Sequence, residues 1–262
     1  MSALLLDKHS DGVAILTMNR PAVHNAFDDA LIADMTAALA ELDTDASVRV
    51  VVLSANGKSF SAGADLNWMR RMAAYSEEQN LRDALALATL MRTLHDLSKP
   101  TVARVHGPAY GGGVGLVACC DIAVASGAAA FSLSEVKLGL IPAVISPYMI
   151  AAIGERMARR YFLTGERFDA TEAYRIGLVQ ERVADEAALD VAVNRIVLAV
   201  LAAGPVAQAE VKQLIAAVAS RPIDDALVRE TAERIARVRV SDEGREGIAA
   251  FLDKRKPDWI KP

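Results

Sequence analysis

The chain has little cysteine, few aromatics and almost no net charge. Its only two cysteines, Cys119 and Cys120, are adjacent among 262 residues. Adjacent positions make a poor structural disulfide and no third thiol is at hand, so a disulfide scaffold is excluded. Both read as small buried hydrophobes in a reducing compartment. The formal charge is −4. That mild acidity argues against general nucleic-acid binding, which needs a concentrated basic face. No uncharged run reaches the ~20 residues that span a bilayer. The apolar stretch 197–203 is too short, and Asp7 and Asp11 break any signal-peptide layout. A cytoplasmic protein without membrane or nucleic-acid partners is expected. His9, His24, His95 and His106 show no metal-ligand spacing, so no metal site is expected. Ser61, Ser132 and Ser134 lack a nearby His and Asp, and no GxGxxG run is present.

What is abundant is small aliphatic residue, with 53% of the chain hydrophobic and Ala, Val and Leu dominant. The length suits one large domain or a domain with a small appendage. Residues 13–18 read as a strand. Asp28 or Asp29 caps a helix through Leu42, whose Ile32, Met35 and Leu39 recur at helical spacing. The β-branched run 48–53 reads as a buried strand. Helices are expected over 66–72 and 77–97, a short strand over 101–105, and a buried helix from Gly113 to Cys120. Short strands follow at 122–125 and 130–133. From Ala151 the pattern is mostly helical, with breaks at Gly204-Pro205 and Arg221-Pro222.

Two loops stand out, about 50 residues apart: Ser59-Phe60-Ser61-Ala62-Gly63-Ala64-Asp65-Leu66 and His106-Gly107-Pro108-Ala109-Tyr110-Gly111-Gly112-Gly113-Val114-Gly115-Leu116. Each follows an apolar run and opens a helical pattern. Amides at a helix start have no intrahelical acceptor, so they can donate to an anionic oxygen. Two converging on one carbonyl form an oxyanion hole. Glu135 lies in the apolar stretch from Phe131 to Pro142. Burial there raises a carboxyl pKa and suits it to proton transfer. A salt bridge to Lys137, or a plain helix-start role, is the alternative.

The order and spacing of these loops resemble the crotonase superfamily, the enoyl-CoA hydratase/isomerase fold. The resemblance runs from Val13–Pro21 to Phe251–Lys256. It implies an α/β fold, a spiral of ββα repeats with a helical C-terminal region. The division expected is a spiral core over 1–200 and a helical region over 201–262, serving trimerisation and cover of the CoA site, in one continuous unit. It implies that the Ala64 and Gly112 amides bind an acyl-CoA thioester oxygen and that Glu135 is the second catalytic glutamate. It further implies that Ala22, Val23, Ala62, Ala64, Asp65 and Leu66 line coenzyme A, with Phe251 and Lys254 reaching it from a neighbour. No tightly bound cofactor is implied, and the assembly is a homotrimer or a hexamer made of two trimers. Asp65 also suits a helix cap, and His106 a backbone hydrogen bond.

Gly115, 20 residues before Glu135, departs from the pattern. Two-glutamate hydratases of the family carry their first catalytic glutamate there. Three readings stay open: a one-glutamate isomerase, a hydratase whose acyl chain needs the vacated space, or close helix packing. The stretches Leu66–Met72, Leu140–Tyr148 and Gly154–Phe168 are similar to methylglutaconyl-CoA and isohexenylglutaconyl-CoA hydratases, which handle 3-branched acyl-CoAs with a second carboxylate. They favour the second reading, with Arg70, Arg71 or Lys137 as partners for that carboxylate. A catalytically idle CoA- or RNA-binding relative is the reading from another class, and Glu135 with both donor loops argues against it.

Overall fold

The computed structural model describes residues 2–260. The chain runs β1 (Leu4–Lys8), β2 (Val13–Met18), α1 (Asp29–Thr44), β3 (Val50–Ala55), α2 (Leu66–Met72) and α3 (Glu77–Asp96). It continues through β4 (Thr101–Val105), β5 (Ala109–Tyr110), α4 (Gly112–Cys119), β6 (Ile122–Ser126), β7 (Ala130–Ser132) and α5 (Ser146–Thr164). β8 (Phe168–Asp169), α6 (Ala170–Arg175), β9 (Glu181–Val183) and α7 (Glu186–Ala202) follow. Then come α8 (Pro205–Val218), α9 (Asp225–Arg239) and α10 (Asp242–Leu252).

Six strands form the main sheet in the order β1-β2-β3-β4-β6-β9, and three form a small sheet, β5-β7-β8. Only β1 is antiparallel in the main sheet; β2, β3, β4, β6 and β9 run parallel. The chain alternates between the sheets. β4 lies in the main sheet, β5 in the small one, and α4 follows; β6 and β7 repeat the step. The stretch after β3 does the same with one bridge, Ser61 to Ala109, before α2. This is the expected ββα spiral.

Each β3 residue is buried because both sheet faces are covered. Val51 and Leu53 face the large core, while Val50 and Val52 face α7 through Leu189 and Val193. Asp28 caps α1 by accepting from the Leu31 amide, and Ser76 caps α3 in a reciprocal box with Gln79. Cys119 and Cys120 carry free thiols, and burial pushes the Cys120 thiol up to about 12.

The C-terminal helices pack at one end of the strands. Lys212 on α8 pairs with Asp121, just before β6, at 2.7 Å. Arg49, just before β3, donates to the Ala203 and Trp259 carbonyls at 2.7 and 3.2 Å. α7 and α8 meet at 104° over Gly204-Pro205, and no single described helix is long and apolar enough to cross a membrane. Both donor loops follow the opposite, C-terminal ends of β3 and β4.

Candidate active site

Asn25 shapes the first loop. Its side-chain amide donates to the carbonyls of Asn56 and Ser59, each at 2.8 Å, and its oxygen accepts from the Arg20 amide. The chain then bridges Phe27 to Ala64. The Phe27 amide donates to the Gly63 carbonyl at 2.6 Å, and the Asp65 amide donates to the Phe27 carbonyl at 2.7 Å. In a trans peptide the C=O and the next N–H point opposite ways. The Ala64 N–H is therefore aimed away from Phe27, and no described residue accepts it. Asp65 is locked. Its Oδ1 accepts from Asn67 and Trp68, and its Oδ2 lies 3.1 Å from Arg20 Nη2. Burial alone would raise its pKa, but those amides and Arg20 outweigh it and hold the carboxyl low.

The second loop is stitched to the first. The Tyr110 amide donates to the Ser61 carbonyl at 2.8 Å and the Gly111 amide to Ser132 at 2.9 Å. The Gly111 carbonyl accepts from Val114 and Gly115, so it points along α4. By the same peptide geometry the Gly112 N–H points out of the helix start, and no described residue accepts it. The loops touch at two glycines: a Cβ on Gly63 would lie 3.1 Å from the Tyr110 carbonyl oxygen, and one on Gly111 would lie 3.9 Å from the Gly63 Cα.

Glu135 is the second residue of the 3-10 turn Ser134–Leu138, which Gly139 ends in the left-handed conformation. A Cβ on Gly111 would sit 3.1 Å from Glu135 Oε1. The other oxygen, Oε2, is buried with no hydrogen-bond partner. Burial raises the carboxyl above its ordinary 4.5, opposed in part by its own backbone amide. Lys137 is exposed, and its ammonium is not paired with Glu135 among the described residues. One carboxyl with an unused buried oxygen thus stands beside two helix-start amides without acceptors. Such a set can polarise a carbonyl and move a proton next to it.

The enoyl-CoA hydratase/isomerase family model matches residues 8–262. The chain belongs to that family. A Legionella pneumophila protein assigned to the enoyl CoA hydratase/isomerases (crotonases) is 52% identical, with 99% of each chain covered and a TM-score of 0.93. An enoyl-CoA hydratase from Shewanella pealeana is 47% identical over 98% of this chain and 96% of that one, with a TM-score of 0.95. The 2,3-dehydroadipyl-CoA hydratase of Escherichia coli is 32% identical, with 99% of each chain covered.

In this enoyl-CoA hydratase/isomerase the position of the first glutamate is not vacant, which corrects the expectation of free space at Gly115. Gly115 is buried inside α4. A Cβ there would collide with Ile145 Cγ2 and lie 3.0 Å from Ile145 Cβ and 3.2 Å from Met91 Cε. Ile145, itself 2% exposed, fills the volume. The packing reading of Gly115 describes the structure.

The remaining residues fall into two groups. Ala22, Val23, Ala62 and Leu66 are exposed beside the first loop. Phe251 and Lys254 are also exposed, but they belong to the C-terminal region at the other end of the strands. Arg70 donates to Asn67, and Arg71 pairs with Asp29, so both arginines are engaged on the surface. His106 Nε2 lies 2.9 Å from the Gly57 carbonyl oxygen, as a backbone-bonding role requires. Sequence reasoning missed Asn25, Phe27, Met91 and Ile145. Only Asn25 carried a local signal, as a polar residue between Pro21 and an apolar pair.

Proposed function

We propose that the protein adds water to a 2-enoyl-CoA thioester, with Glu135 as its proton-transfer group and the Ala64 and Gly112 amides as donors to the thioester oxygen. The observation that carries this reading is the Glu135 carboxyl, its Oε1 held against Gly111 and its buried Oε2 without a hydrogen-bond partner. The Glu135 carboxylate takes a proton from water as the water oxygen bonds to C3. The electron pair of the double bond moves onto the thioester oxygen, where two fixed N–H dipoles meet the new charge. The same carboxyl then returns the proton to C2, so the net change is one water. A raised pKa makes this carboxylate a better base than an exposed one.

The substrate we propose is a 3-branched dicarboxylic enoyl-CoA such as 3-methylglutaconyl-CoA. Support comes from the stretches 66–72, 140–148 and 154–168, which resemble hydratases of that class. The named relative at 32% identity, 2,3-dehydroadipyl-CoA hydratase, also takes its name from a dicarboxylic acyl group. A crotonyl-CoA hydratase at 32% identity favours neither choice.

Coenzyme A lies along the backbone of Ala22, Val23, Ala62, Ala64, Asp65 and Leu66 in this reading. Asp65 would border CoA through its backbone position alone, because its carboxylate is spent on α2 and Arg20 and its amide on the Phe27 carbonyl. Phe251 and Lys254 meet CoA across a subunit boundary, since in their own chain they sit at the far end of the sheet. The assembly we propose is a trimer, alone or paired into a hexamer. The division we propose, a core over 1–200 and a helical region over 201–262, falls within the last turn of α7.

The isomerase reading rests on one observation: position 115, where two-glutamate hydratases carry their first acid, is a glycine. A mass assay decides between the two. The pure protein is incubated with crotonyl-CoA, 3-methylglutaconyl-CoA and a 3-enoyl-CoA. Gain of one water supports the hydratase; a shifted double bond at unchanged mass replaces it with an isomerase.

A further inference from the structure

His24 ends the 3-10 turn Pro21–Val23 in the left-handed conformation, with φ 54 and ψ 35, and Asn25 follows it at φ 53. Two successive left-handed residues without a glycine are costly and persist only where other bonds hold them. Asn25 is buried, and its side chain is fixed by Arg20, Asn56 and Ser59. His24 is exposed, and its ring has one hydrogen bond among the described residues. Nδ1 lies 3.0 Å from Oγ of Ser59, a buried residue at 7% exposure. The hydroxyl can donate or accept, so the bond forms with either ring tautomer. The His24 carbonyl meanwhile accepts from the Ala62 amide at 2.9 Å. His24 thus grips the first donor loop twice, by its ring at Ser59 and by its backbone at Ala62. No other described residue bonds the Ser59 hydroxyl or the Ala62 amide.

We propose that His24 is a positioning residue for the Ala64 amide: its ring bond to Ser59 holds residue 24 left-handed, and that backbone holds the loop that aims the donor. The inference rests on the reading above, in which the Ala64 N–H donates to the thioester oxygen. The path is short. The ψ angle of His24 sets the direction of its carbonyl, and that carbonyl fixes Ala62, two residues before Ala64. Three residues after His24, the Phe27 amide holds the Gly63 carbonyl at 2.6 Å and so aims the Ala64 N–H. Without the Ser59 bond, residue 24 is free to leave the left-handed region. Ala62 then loses its acceptor, and the loop is held from the Phe27 side alone. A donor that must reorient during the reaction stabilises developing charge less than one fixed beforehand. His24 touches no reacting atom in this scheme and acts only through the loop.

The test uses the full-length wild type and the variants His24→Ala, His24→Asn, His24→Gln, Ser59→Ala and the double His24→Ala/Ser59→Ala. kcat and KM are measured on crotonyl-CoA and 3-methylglutaconyl-CoA, with thermal melting on every variant. Asn carries a polar atom on Cγ, where Nδ1 sits, and tolerates the left-handed turn. Gln carries its polar atoms one carbon farther out. Losing a donor outright costs ~10²–10³ in turnover, so a loosened one should cost about tenfold. His24→Ala, His24→Gln and Ser59→Ala are expected to lower kcat by that factor with KM changed far less. His24→Asn should stay close to wild type. The double variant should lose no more than His24→Ala alone, because both changes break one bond. Ser59→Ala leaves residue 24 untouched and covers the case in which a His24 variant does not fold. Unchanged kcat in both His24→Ala and Ser59→Ala, even with lower melting, would make the bond purely structural and overturn the proposal while leaving the hydratase reading intact. Equal kcat for His24→Asn and His24→Gln, or additive losses in the double variant, would likewise overturn it. A wild type inactive on both enoyl-CoAs would remove the hydratase reading, and this proposal with it.

Discussion

Glu135 lies against Gly111, its Oε1 3.1 Å from the point a Cβ on that glycine would occupy. Gly111 has φ 51 and ψ −122, a conformation that side chains oppose. The glycine therefore does two things at once: it turns the chain into α4 and leaves room for the acid. Gly111→Ala adds backbone strain of ~1–3 kcal/mol and pushes the carboxyl away. We expect a lower melting temperature and a kcat reduced at least tenfold, read by thermal melting and steady-state kinetics. Wild-type turnover in this variant would show that the contact has no catalytic weight.

Glu135→Gln keeps the volume and removes the titrating proton. Loss of acid–base help costs ~10²–10⁴ in rate. The pH behaviour gives a second readout. Burial holds the folded pKa of Glu135 above 4.5. The ionised form is the base, so kcat/KM should fall as pH drops through a midpoint above 4.5. For stability the sign is opposite. The native state holds this proton more tightly than the unfolded chain, so stability decreases as pH rises from 4.5 through the folded pKa. Glu135→Gln lacks that titration and should gain on wild type across the same window. Denaturant midpoints at several pH values check it.

Much of this arrangement is legible along the chain. Helical periodicity places α1, α2 and α3 to within two residues, because their apolar positions recur at helical spacing and Asp28 and Ser76 cap them. Glu135 stands out because an acid in an apolar run is costly without a purpose. Strand β1 is not legible: it is an edge strand with four of five residues exposed, so no alternation marks it. Two-residue strands such as β5 and β8 carry no periodicity at all. The Gly115–Ile145 contact is also invisible in sequence. Nothing local distinguishes Ile145 from the apolar residues around it, and only the packing of α5 against α4 brings the two together.

Asp65 is a structural acid beside the proposed donor loop. Its carboxylate accepts from two amides of α2 and meets Arg20. Loss of a cap of this type costs ~0.5–2 kcal/mol. The folded pKa lies below 3.8. Its contribution is therefore present above 3.8 and disappears as pH falls through the folded value. Asp65→Ala should unfold at lower denaturant concentration at pH 7, and the gap to wild type should shrink in strong acid. A constant gap across that range would assign the loss to packing alone.

The proposed assembly would cover exposed apolar residues on the C-terminal helices. Val206, Val211, Ile215, Val228, Ile235 and Ile248 are all about half exposed or more. Large exposed apolar patches mark interfaces, and the proposed trimer would cover these residues. Light scattering at micromolar concentration should give three or six times the 27.9 kDa chain mass. Lys254→Ala should then raise KM for acyl-CoA without changing kcat, because the residue would meet CoA and not the reacting carbons. A monomer would remove Phe251 and Lys254 from the site.

The Ala64 and Gly112 amides are the proposed donors to the thioester oxygen. Each is aimed by a carbonyl already committed elsewhere: Gly63 to the Phe27 amide at 2.6 Å, and Gly111 to Val114 at 2.9 Å. Neither amide can turn without breaking those bonds, so the donors are fixed before substrate arrives. Preorganised donors of this kind contribute ~10²–10³ each to turnover. Gly112→Pro deletes one of them, because proline has no N–H, and its Cβ, 3.1 Å from Phe27 Cε2, requires that ring to give by a few tenths of an ångström. The expected result is a kcat loss of ~10²–10³ with KM changed far less, since the donor acts most on the charge that develops during reaction. A crystal of the Glu135→Gln variant with bound acyl-CoA gives the direct measurement. The thioester oxygen should lie within about 3.2 Å of both nitrogens. An oxygen bound to only one amide, or to neither, would reduce the pair to ordinary helix-start geometry and leave Glu135 without its electrophilic partner.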